Sequence, residues 1–132
     1  MTNPTDREFE QMLQEKGLNA PRITPDLIQA NIKSVHYFTA LQGSRCAFMD
    51  YVVEEPPFET PQPDLLNPAL GLLTFCVLVL QNGFTVTGES ACASPENFDA
   101  EAGRIAARRN AENKIWPLMG YELKCRLAAQ TQ

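Results

Sequence analysis

Leu72 to Phe98, LLTFCVLVLQNGFTVTGESACASPENF, constrains this chain more than any other stretch. An unbroken apolar run leads into Asn82-Gly83, and an alternating run follows as far as Ser94-Pro95-Glu96. Asn-Gly supplies two residues that tolerate positive φ, as a tight type I′ turn requires, so the flanking segments are expected to fold back as a hairpin. With Asn82 and Gly83 as the whole turn, Gln81 faces Phe84, Val79 faces Val86 and Phe75 faces Ser90. That register sets Phe75, Val77, Val79, Phe84 and Val86 on an apolar surface suited to covering helices. Cys76, Leu78, Leu80, Thr85, Thr87 and Glu89 fall on the other, mixed surface, which a second subunit could cover.

The 132 residues are 44% hydrophobic, enough for one domain with a real core. Within the expected domain, 1–132, residues 1–20 form a mobile N-terminal helix and 54–70 a proline-rich loop. The apolar run ending at Leu80 is too short to cross a bilayer, and MTNPTDREFEQ lacks the basic start and apolar core of a signal peptide. These features predict a cytoplasmic protein without membrane contact. A net charge of −5 with no basic block argues against nucleic acid as a partner. Cys46, Cys76, Cys92 and Cys125 show no CxxC spacing and read as free buried thiols of a reducing compartment.

Phe9, Met12 and Leu13 before Gly17 predict an amphipathic helix over about residues 6–16. Thr24-Pro25-Asp26 starts a second helix, with Thr24 as N-cap and Pro25 at its first position. The aromatic and β-branched stretch 34–40, the turn-forming Gln42-Gly43-Ser44 and the run 45–53 read as a second hairpin. Five prolines between Pro56 and Pro68 then mark an extended loop in which Phe58, Leu65 and Leu66 are candidates for burial. Ser94 as N-cap and Pro95 open a helix with Phe98, Ala102, Ile105, Ala106 and Trp116 on its apolar side. Pro117 breaks it near Trp116, and a last helix follows from about Leu118. The expected fold is α+β: an antiparallel sheet of about four strands, as two hairpins, packed against flanking helices.

Catalytic signatures are absent: there is no GxSxG, Walker glycine loop or HExxH, and His36 is the single histidine. No cofactor motif and no paired metal-ligand spacing occurs, so no catalytic residue, cofactor or metal is assigned. The polar segment Glu89 to Ser94 leaves two readings. Its small residues and a helix start could admit an anion, or Ser94 simply caps the helix while the small residues allow close packing. Arg109 falls among the apolar positions of its helix, beside Arg108. It must snorkel to water, pair with a carboxylate such as Glu89 or Glu112, or hold a ligand anion. Glu89, Ser90, Ser94, Arg108 and Arg109 are therefore the candidate ligand-binding residues, and Leu78, Leu80, Thr85, Thr87 and Phe58 the candidate interface.

The words LLTFCVLVLQNGFTVTGESACASPENFDAEAGR and ENKIWPLMGYEL, with APRITPDLIQANIKSVHYFTA upstream, resemble a family of small tailed-phage proteins of unknown function, the gene-product-forty-nine-like phage family. The resemblance covers about three quarters of the chain. It implies a phage or prophage accessory protein in the bacterial cytoplasm and transfers no functional residues. The leading expectation is a non-enzymatic binding protein that occupies a host protein or assembles into a homo-oligomer. The alternative is a binder of a small anionic ligand, such as a nucleotide signal of host defence; a hydrolase using Glu89 or a cysteine ranks last.

Overall fold

A computed structural model describes residues 4–53 and 67–131, with side chains described outside 51–53. Along the chain run α1 (Asp6–Glu15), α2 (Pro25–Ala30), β1 (Ile32–Thr39), α3 (Ala40–Val53), a 3-10 turn (Pro68–Leu72), β2 (Leu73–Leu80), β3 (Thr85–Ala91), a second 3-10 turn (Pro95–Asn97), α4 (Ala100–Asn113) and α5 (Ile115–Gln130). The architecture is α+β with a three-stranded antiparallel sheet in the order β1-β2-β3. The apolar run singled out in the sequence is the central strand.

Among the described residues three strands replace the expected four, because residues 40–53 are helical. Thr39 and Gln42 cap α3 reciprocally: the Gln42 N–H donates to Thr39 Oγ1 at 3.2 Å, and the Thr39 N–H donates to Gln42 Oε1 at 2.9 Å. Such a box satisfies two amides that a helix start leaves orphaned, and it outweighs the strand preference of the Val52-Val53 end. Thr5 and Glu8 build the same box at α1. Without a hairpin partner in 45–53, β1 pairs with β2, setting Val35 against Leu78 and Tyr37 against Cys76.

The β2–β3 hairpin forms where Asn82-Gly83 places it, but its loop has three residues. The Gly83 N–H donates to Leu80 O, the Leu80 N–H donates to Phe84 O, and Gly83 alone takes a positive φ, 89°. This is a type I turn closed by a left-handed glycine, the usual three-residue hairpin loop. Register moves by one: Val79 pairs with Thr85, Leu78 with Val86 and Phe75 with Glu89. A one-residue shift reverses every side chain of β3, so Val86 joins Cys76, Leu78 and Leu80 instead of Val77 and Val79.

The faces therefore exchange roles. Thr74, Cys76, Leu78, Leu80 and Val86 are buried, with Ile28 of α2, Ala107 and Ala111 of α4, and Ile115 of α5. Leu73, Phe75, Val77 and Val79, pointing the other way, stay partly exposed. The stripe of α4 against the sheet consists of small residues. Ile105, expected on the apolar side, is 54% exposed, while Ala107 and Ala111 lie directly over Gly88. Small side chains let helix and sheet backbones approach far more closely than a Leu-lined seam would permit.

α4 begins later than its Ser94-Pro95 signature suggests. Those residues form the second 3-10 turn, where Ser94 makes no side-chain cap, and Asp99 is the N-cap, accepting from the Ala102 N–H at 2.8 Å. The break before α5 falls at Lys114, leaving Pro117 in the first turn of α5, where its missing N–H is not needed.

Candidate functional site

The five candidate ligand residues do not converge. Glu89 is exposed on the partly open face of the sheet, opposite Phe75. The Leu80–Phe84 and Leu72–Cys92 bonds turn even-numbered β3 amides toward β2, so Glu89 directs its carbonyl outward. There Asn110 of α4 donates its Nδ2 at 2.8 Å. Ser90 lines a shallow cavity of about 270 Å³ with Cys92, Asn97 and Asp99, and Cys92 Sγ donates to Ser94 O at 3.1 Å. Asp99 already fills the N-terminus of α4 with a carboxylate, which opposes an anion at that place.

Arg108 and Arg109 part company. Arg109 is exposed, whereas Arg108 Nε donates to Glu112 at 2.6 Å and its Nη2 donates to Gln29 Oε1 of α2 at 3.1 Å. The bond from Glu112 raises the Arg108 pKa above its usual value, burial opposes this, and Tyr37 adds to it. Arg108 thus joins α4 to α2. A groove of about 930 Å³ runs past it, lined by Arg7, Tyr37, Ile105 and Arg109, but Glu112 and Asp6 line it too. Its charge is mixed, which suits a structural tie better than an anion cradle.

Of the candidate interface residues, Leu78 and Leu80 lie in the core at 0% and 3% exposure, while Thr85 and Thr87 are exposed on the opposite face. Phe58 and the rest of the proline-rich stretch through residue 66 fall outside the described residues. The open face carries Leu73, Phe75, Val77 and Val79 down its centre, with Ser34, His36 and Phe38 along β1 and Thr85, Thr87 and Glu89 along β3. Ser34 Oγ and His36 Nε2 stand 3.0 Å apart. Sequence reasoning named Phe75, Val77, Val79, Thr85, Thr87 and Glu89 but gave the two faces of β2 the opposite roles, because it assumed a two-residue turn.

All four cysteines are free, but Cys46 and Cys125 are exposed, Cys92 is partly buried and Cys76 is buried, so the expectation of uniformly buried thiols fails for two of them. Burial, only partly offset by Arg108, pushes the Cys76 thiol above its ordinary value of 9.0. A raised folded-state pKa means that this group's stabilising contribution is complete below the ordinary value and is lost as pH rises through the raised one. Native protein should therefore react with a thiol reagent first at Cys46 and Cys125, with Cys76 labelled only on unfolding. Melts should show a loss of stability above pH 9.0 that a Cys76→Ala variant lacks, even though that variant is weaker overall. Rapid native labelling of Cys76 would contradict this placement.

Among the described residues no three His, Cys, Asp or Glu side chains gather as metal ligands, and no helix is long and apolar enough to cross a membrane. No curated protein and no solved structure matches the chain. The model of the Phage protein (N4 Gp49/phage Sf6 gene 66) family matches residues 23–127, which takes in everything from the approach to α2 through most of α5. The chain belongs to that phage protein family.

Proposed function

We propose that this phage-family protein is a non-enzymatic binding protein of the bacterial cytoplasm that assembles with a second copy of itself through the open face of its sheet. The observation that carries this reading is the partly exposed column Leu73, Phe75, Val77 and Val79 on the central strand. One face of an antiparallel sheet is ordinarily solvated and polar, and here its central column is apolar between polar margins. The pattern across the strands is compatible with a two-fold axis: apolar in the middle, His36 on one margin and Glu89 on the other. An axis parallel to the strands would lay column on column and turn the His36 margin toward the Glu89 margin, in the manner of two aligned sheets.

Native mass spectrometry with light scattering tests this on the full chain. A dimer or larger closed assembly is expected, and Val77→Asp should yield a monomer with an unchanged circular dichroism spectrum. A wild-type monomer at about 10 μM, a concentration at which a micromolar dimer would be populated, would sink the reading. The open face would then be the place to seek a host protein.

A further inference from the structure

A cavity of about 490 Å³ lies where α3 and the start of α4 meet the end of the sheet, and Arg45 of α3 and Arg104 of α4 both line it. Tyr37, Phe38 and Phe98 are among its lining residues. Phe38 is held in place from two sides. Its ring centroid is 5.5 Å from that of Phe75, and its edge would be 3.5 Å from a Cβ on Gly43, ordinary contact distance. Thr74, 3% exposed, lines the cavity at the inner end. Gln42 also contributes: its Oε1 is occupied by the Thr39 N–H, which leaves its amide NH₂ as a donor.

Charge distinguishes this cavity from the groove beside Arg108. The chain has 16 acidic residues against 11 Lys and Arg, yet no Asp or Glu is among the described residues lining it. Arg7, Arg22, Arg108 and Arg126 each have a carboxylate partner, and among the described residues Arg45, Arg104 and Arg109 have none; of these three, Arg45 and Arg104 share this cavity. Two arginines beside a site lined by Phe38 and Phe98 combine donors for a phosphate or carboxylate with aromatic side chains suited to stacking a planar ring. The volume falls in the range of small-molecule sites.

We infer that this cavity binds a small aromatic anion of nucleoside monophosphate size, its phosphate held by Arg45 and Arg104 and its ring set against Phe38 and Phe98. The site meets the proposed self-assembly face only at Phe38, which packs on Phe75 of the apolar column, whereas Arg45, Arg104 and Phe98 lie outside that column.

Calorimetric titration of the full chain with AMP and GMP, beside adenosine and inorganic phosphate, tests it. At least one nucleotide should bind, with adenosine and phosphate each weaker by about tenfold or more. Arg45→Gln and Arg104→Gln should each weaken that binding by about tenfold, and the pair should abolish it with the circular dichroism spectrum unchanged. Amide shifts on the wild-type protein provide a check that needs no variant: Gly71 and Thr74 should move with nucleotide. No binding by either nucleotide up to about 1 mM would overturn the inference. So would undiminished binding in the double variant, shifts confined to other residues, or adenosine binding as tightly as AMP.

Discussion

Gly88→Ala should cost this protein more than about 3 kcal/mol, beyond the usual range for a single added methyl group, and leave it largely unfolded under mild denaturant. A Cβ at Gly88 would sit 2.2 Å from Ala107 O, 2.3 Å from Ala111 N and 2.9 Å from Ala111 Cα. All three atoms are backbone, so no rotamer change relieves the overlap. α4 would have to lift from the sheet, separating Ala107 and Ala111 from Leu78 and Val86 in the core they share. Gly120→Ala provides the control. Nothing lies within 4 Å of its added Cβ, and it sits inside α5, where alanine is favoured over glycine by about 1 kcal/mol. Urea titrations of the two variants should shift in opposite directions. A Gly88→Ala protein as stable as the wild type would mean that helix and sheet are not in this close contact.

Leu78→Asp and Val77→Asp, neighbours in sequence, should behave as differently as any two variants of this chain. Leu78 is 0% exposed and pairs with Val86 beneath α4, so an aspartate there buries a charge with no partner. Such a group costs several kcal/mol even if it takes up a proton, comparable with the whole stability of a small domain. No cooperative thermal transition is expected. Val77 points to the open face, where a carboxylate can reach water, and its aspartate variant should melt cooperatively. Thermal melts followed by circular dichroism distinguish the two directly. A folded Leu78→Asp beside an unfolded Val77→Asp would restore the faces that a two-residue turn implies.

The position of the β2–β3 hairpin was legible because Asn82-Gly83 interrupts two strong strand patterns. Its loop length was not, since the same dipeptide serves a two-residue turn or the last two positions of a three-residue one. Only the conformation of Asn82, which does not take a positive φ, separates them. α3 carried a visible sign in Thr39-x-x-Gln42, but the strand-forming character of residues 45–53 obscured it. The packing stripe of α4 escaped a search for large apolar residues because its working members are alanines set over a glycine. The Arg108–Glu112 pair follows directly from i,i+4 spacing. Arg45 and Arg104 meet only through the tertiary fold, and no local pattern links them.

The bond from Asn110 to the outward carbonyl of Glu89 bears on whether further chains can add to the sheet edge. An outer strand with free amides and carbonyls is a template: each chain added to it presents a new edge, and growth has no natural stop. Here a helix side chain occupies one rung of that template. Addition along the β3 margin must first displace it, whereas stacking across the apolar column leaves it in place. In the proposed dimer, face-to-face contact would use up the surface that drives it, so association by that route would close on itself as a particle of fixed size instead of a fibre.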